Sequence, residues 1–239
     1  YAVNRAADDA AGLSISEKMR NQIRGINQAV KNSEDGVSLI QTAEGNMNEI
    51  HSILQRMGEL ATKAANDVNA TEDRDAIADE MTQLRDEIDS ISSKAAFNGT
   101  KLLTGDFKSK FLQVGANAGE NMEITIKTMN TTTLKLTSAD VSVSSHALAA
   151  TAMSKISAAI KTVSAARSEL GAKQNRLNYT INNLENYSEN LTSAESQIRD
   201  TDMATEMTNY TKNNILQQAA QSMLAQANQS TQGVLSLLQ

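Results

Sequence analysis

The chain has 239 residues, a net charge of −6 and only 3% aromatic residues, with no Trp, Cys or Pro. Scattered Lys and Arg on an acidic background exclude nucleic acid as a partner, because phosphate binding needs a basic stripe; without Cys there is no disulfide and no thiolate metal site. No run of 18 apolar residues occurs, so no membrane partner is expected, and no cleavable signal peptide is recognisable.

In chain order, Asp8 and Asp9 are placed to cap a helix N-terminus. A helix is expected over about residues 12–65, from the row Ile15, Met19, Ile23, Ile26, Val30, Val37, Ile40, Met47 and Leu54. Beyond Met47 a second row joins it at Ile50, Ile53, Met57 and Leu60, so the wider stripe should meet more than one neighbour. Asn66 to Ala70 reads as a turn, and Asn69 with Glu72 as a capping box. A second helix over about 70–95 carries Ile77, Met81, Leu84, Ile88, Ile91 and Ala95, and should run antiparallel to the first.

At Phe97-Asn98-Gly99 the helical pattern breaks, and the period changes to two as far as about Leu136. Met122, Ile124 and Ile126 alternate with Glu123, Thr125 and Lys127. Two or three strands are expected over 97–136, with a hairpin turning at Gly115, Asn117 and Gly119. Ser138 to Ser145 reads as a polar link.

A third helix is expected over about 147–198. It places Ile156, Val163, Leu170, Leu177, Leu184, Leu191 and Ile198 seven residues apart, so one face always meets an apolar partner. At about 1.5 Å per residue the stretch from Ile156 to Ile198 is about 65 Å long, and partner helices of similar length are needed to cover it. Arg167, Gln174 and Glu195 lie among the seam positions; they either fix register or face solvent on a rotated helix. Arg199 to Asp202 punctuates the chain. Residues 203–239 then form an amphipathic helix rich in Gln, Asn and Ala, marginal in water without a partner.

The fold class that follows is mainly α: an elongated antiparallel helical bundle rod with a small β-hairpin region, plus a C-terminal amphipathic helix. Residues 1–199 make the rod and 200–239 a separate terminal segment. Absence of Pro, where roughly twelve are expected at average usage, fits uninterrupted helices. Chemistry is not encoded. His51 and His146 are the two histidines, in no metal-ligand spacing, and no phosphate-binding glycine loop or nucleophile elbow occurs. No enzyme activity, catalytic residue, metal or cofactor is expected.

Several long motifs in order resemble the bacterial flagellin family. They are Asn4-Arg-Ala-Ala-Asp-Asp-Ala-Ala-Gly-Leu-Ser-Ile-Ser-Glu-Lys-Met-Arg20, Ser38 to Gly45, Glu87-Ile-Asp89, Phe97-Asn-Gly99, Gln113 to Asn117, Glu195 to Asp200, Gln217 to Ala219, Leu224 to Asn228 and Val234 to Leu238. The resemblance implies a structural subunit of the secreted, extracellular flagellar filament, serving motility. Its implied partners are other flagellin subunits, hook-associated proteins and an export chaperone that binds the C-terminal segment of the unfolded chain. Residues 200–239 would be the C-terminal half of a terminal coiled coil. Met207, Ile215, Met223, Leu235 and Leu238 would contact the chaperone or that coiled coil. The family's helix upstream of the Asn4 motif has no counterpart in this sequence. Since the sequence begins at Tyr1 rather than Met, the natural N-terminus is expected to lie upstream.

The resemblance also implies a patch read by host Toll-like receptor 5: Gln55, Arg56, Glu59 and Leu60, with Glu80 on the second helix. Gly58 stands where the family often has Arg, which removes one charge. From the residue pattern by itself, Arg56 and Glu80 read as solvated helix charges and Leu60 as core.

Overall fold

The computed structural model describes residues 1–236, and side chains as far as residue 228. Four helices dominate: α1 over Ala10–Ala64, α2 over Thr71–Lys94, α3 over His146–Arg199 and α4 over Met203–Ser236. Four short strands fall between α2 and α3, namely β1 (Ala96–Phe97), β2 (Thr100–Lys101), β3 (Lys110–Gln113) and β4 (Asn121–Ile124). Two compact units result, residues 22–190 and residues 1–21 with 191–239.

In the larger unit, α1 and α3 pack antiparallel, and the contacts give the register. Glu44 pairs with Arg167 at 3.4 Å and Asn27 accepts a hydrogen bond from Ser188 at 3.0 Å. A Cβ added at Gly58 would lie 3.8 Å from Ile156, and one at Gly36 would lie 3.3 Å from Leu177. Residue numbers rise along α1 as they fall along α3. The seam is buried at Ile156, Val163, Leu170 and Leu177, with Ala159 and Ala166 between them and Ala149 and Ala152 just before. Leu184, also in this unit, is half-buried. Arg167 is partly exposed and reaches across to Glu44; Gln174 is half-buried and makes no cross-helix hydrogen bond among the described residues.

The stripe of α1 widens as expected. Ile40, Met47, Ile50, Leu54, Met57 and Leu60 are all buried, because α2 folds back on this half and contributes Ile77, Met81 and Ile88 to the same core. The turn between them departs from the expected cap. The N-cap of α2 is Ala70, whose N–H donates to Asp73 at 3.1 Å. Asn69 instead donates to the carbonyl of Lys63 at 2.6 Å and closes the end of α1.

Two antiparallel hairpins, β1–β2 and β3–β4, fill the β region. The first turns at Asn98-Gly99, both at positive φ (48° and 76°), the left-handed pair that a tight two-residue turn requires. The strands are shorter than the period-two pattern implies. Residues 127–136 are irregular backbone with a turn at 131–135, and they bury Met129, Leu134 and Leu136 in the core. The segment 138–145 is more than a polar link, since Val141 and Val143 are buried. Asp89 of α2 holds this region, accepting the Thr131 backbone N–H at 2.9 Å and its hydroxyl at 2.7 Å. The β3–β4 hairpin lies close on α1: a Cβ at Gly25 would come within 3.0 Å of Ala116, and one at Gly36 would collide with Leu112.

In the smaller unit, Asp9 caps α1 by accepting the N–H groups of Ala11 and Gly12, each at 3.0 Å, while Asp8 closes the preceding turn through Asn4 and Arg5. Arg199 ends α3 in a clamp. Its carbonyl accepts the Ala2 N–H at 2.7 Å, and its guanidinium lies 4.8 Å from the Tyr1 ring centroid and 3.4 Å from Glu17. Glu195, a seam position, sits 4.0 Å from Arg20.

Leu54 is fully buried, so Leu54→Ala should destabilise the larger unit by about 3 kcal/mol, transfer and cavity costs combined. Leu184→Ala, at a half-open seam position, should cost less than half as much. Urea unfolding of the two variants against the parent checks both.

Candidate functional site

Two surfaces stand out. The first lies across α1 and α2. Leu54, Met57 and Leu60 turn into the core, which leaves Gln55, Arg56 and Glu59 exposed on the opposite face of the same turns. Arg56 reaches across to Glu80 with two hydrogen bonds to one carboxylate oxygen, 2.9 Å from Nε and 2.8 Å from Nη2. It also donates to Glu59 at 3.1 Å. These bonds, Glu80's first and Glu59's second, raise the Arg56 pKa above its ordinary value, so the guanidinium stays charged under all working conditions. The Gln55 amide nitrogen stands 3.2 Å from His51 Nε2. Arg56, Glu59, Lys63, Asp73 and Glu80 line a shallow polar groove whose floor includes Leu60 and Ile77.

The structure therefore brings together Gln55, Arg56, Glu59 and Glu80. It places Leu60 beneath them at 3% exposure, because Leu60 belongs to the α1 row that meets α2. Leu60 supports the patch from below and adds only a sliver of apolar surface to the groove floor.

The second surface is α4. Asp202 is its N-terminal cap, accepting the Ala204 N–H and the Thr205 hydroxyl, each at 2.9 Å. Its apolar residues are exposed: Met207 56%, Ile215 61% and Met223 72%. Met207, Thr208, Thr211, Lys212, Ile215 and Leu216 form one shallow, largely apolar surface on three consecutive turns. Leu235 and Leu238 lie outside the residues whose side chains are described. Three signals stayed hidden in the sequence. Asp202 looked like punctuation and is a cap. Arg199 looked like punctuation and is a clamp. Phe111, inside the stretch of period two, is a 68%-exposed aromatic.

Among the described residues, no group of three His, Asp or Glu side chains is placed to hold a metal ion. No helix among them is long and apolar enough to cross a membrane. What this molecule offers is long helix faces and exposed contact surfaces, the equipment of a structural assembly protein.

Comparison with known proteins agrees. The bacterial flagellin N-terminal helical region matches residues 1–108 and the C-terminal helical region matches residues 153–238. A flagellin of Halalkalibacterium halodurans is 53% identical over 236 residues, 99% of this chain and 87% of that protein. A flagellin of Bacillus subtilis is 48% identical over 270 residues, again 99% of this chain and 88% of that one. The crystal structure of Bacillus cereus flagellin superposes with a TM-score of 0.58 at 31% identity, covering 74% of this chain and 93% of that one. The chain belongs to the bacterial flagellin family, whose members are structural subunits of the extracellular flagellar filament.

The Asp202 carboxyl is held below its ordinary pKa, first by the Thr205 hydroxyl and then by the N–H groups of Ala204 and Thr205. A depressed carboxyl contributes stability above the unfolded value, about 4, and loses it as pH falls through the folded value. Helical chemical shifts in the first turn of α4 should therefore fade on acidification below about pH 4. Asp202→Asn, which cannot titrate, should remove that dependence, and NMR titration of residues 203–208 reads the difference.

Proposed function

We infer that α4 is a shared handle: before export it is gripped by a chaperone, and in the filament the same row enters a terminal coiled coil with neighbouring flagellin subunits. The observation that supports this is the exposure of Met207, Ile215 and Met223 on a helix whose start is well capped. A helix so open is marginal in water, and Met and Leu on a polar helix make adaptable groove contacts. One row cannot serve both partners at once, so chaperone binding holds subunits apart until they leave the cell. Absence of Cys and Pro suits passage of an unfolded chain through a narrow channel. Residues 1–199 then act as the rod, and hook-associated proteins meet the filament ends through the same terminal helices.

A second role is recognition by host Toll-like receptor 5 at Gln55, Arg56, Glu59 and Glu80, with Leu60 beneath. The exposed guanidinium held between two carboxylates supports it. Such a planar, pre-positioned donor is the usual anchor of a protein interface. Gly58 beside it adds no charge, so Lys63 is the other cation on this groove.

Ile215→Asp should weaken chaperone affinity at least tenfold, measured by calorimetry, while urea unfolding of the larger unit stays unchanged. Unaltered affinity refutes the handle. Arg56→Ala should lower receptor-driven reporter signalling at least tenfold with the helical circular dichroism intact; a full response would remove the patch from the account.

A further inference from the structure

All three phenylalanines of the chain converge on one surface. Phe97, Phe107 and Phe111 line a shallow groove with Leu39, Leu112 and Ile124, and Asp35 and Lys110 stand at its rim. Phe107 is nearly buried, whereas Phe111 projects with 68% of its surface exposed. A large exposed aromatic above an apolar groove is costly for a monomer to keep and marks a contact. Lys108 and Lys110 flank it on the β3 side, both exposed and in no ion pair among the described residues.

The most exposed apolar side chain of the larger unit is Val68, at 87%, in the turn between α1 and α2. That turn is braced. Arg74 donates to the Asn66 carbonyl at 3.3 Å and to Asp67 at 3.0 Å, and Asn69 ties back to Lys63. Asp67, next to Val68, and Glu72 and Asp73, at the start of α2, are all exposed, with Asp67 held by Arg74. The tip is therefore convex, pre-ordered, apolar at its point and acidic around it. The groove is concave, apolar in its floor and basic along one lip. Within one chain they cannot meet, since α1 carries the tip about 40 Å from Leu39 at 1.5 Å per residue.

We propose that the Val68 turn of one subunit seats in the Phe97–Phe107–Phe111 groove of the next, with Asp67 and Glu72 facing Lys108 and Lys110. The contact joins two different patches of the same chain, so it repeats without closing, as a helical filament requires. The inference rests on the chain being a filament subunit and specifies where two copies touch.

Absence of Cys from the chain makes the test clean. In the full-length protein, Val68→Cys and Phe111→Cys are introduced together and filaments are oxidised mildly. A disulfide needs Cα atoms about 4.4–6.8 Å apart, so the double variant should give a covalent ladder of trimers and longer species. An equimolar mixture of the two single variants should stop mainly at dimers. Filaments that form normally yet give no ladder overturn this contact and leave the filament reading standing, whereas failure of the unaltered full-length protein to polymerise strikes at the reading itself. Crosslinking of Phe111→Cys to Ile215→Cys in place of Val68→Cys would assign the groove to α4 and likewise overturn the proposal. As a second arm, Lys108→Glu with Lys110→Glu should slow filament growth at least tenfold, and Asp67→Lys with Glu72→Lys in the same chain should restore it. Growth unaffected by the first pair contradicts the proposal.

Discussion

Everything in this molecule depends on covering the apolar seam of α3. A single helix cannot bury its own stripe, so the seam dictates a long antiparallel partner, and α1 supplies it residue for residue from Gly58–Ile156 to Asn27–Ser188. Ala at 149, 152, 159 and 166 keeps the backbones close, while Ile, Val and Leu supply the buried area. Polar pairs such as Glu44–Arg167 contribute little energy at a half-exposed site. They discriminate between registers, because a slip of one heptad would set charges against apolar side chains.

The coverage is uneven along the molecule. Where α2 and the β hairpins also pack on α1, the core is closed. Toward Leu184 it opens, and on α4 the apolar residues stand in solvent. Phe111, Val68 and Ile215 are all largely exposed in the isolated chain. A filament subunit needs such residues, since its stability as an assembly comes from contacts that the isolated chain leaves unmade.

The helices were legible in the sequence because burial repeats at the helical period, and α1, α2 and α3 lie within two residues of their expected limits. The β region was legible only in outline. Its strands are two to four residues long, and the burial of Met129, Leu136 and Val143 comes from irregular backbone folded onto α2, which has no period to read. The Asn69 cap failed for a local reason: a side chain that can cap the following helix can equally close the preceding one, and here the Lys63 carbonyl won. Arg56 and Glu80 could be named from resemblance, but their bonds could not be, because 24 residues separate them and the antiparallel turn sets their distance. That Leu60 lies underneath followed from the apolar row on α1 and needed no resemblance.

Hydrogen exchange on the monomer and on the assembled filament tests the central claim, that the seam is closed in its first half and left for partners beyond it. In the monomer, amides of residues 149–177 should exchange far more slowly than those of 203–228, with residues 184–198 between. On assembly, protection should rise most in 203–228 and least in 149–177. Strong protection throughout α4 in the free monomer would contradict the account, because it would mean that this helix is already covered before any partner arrives.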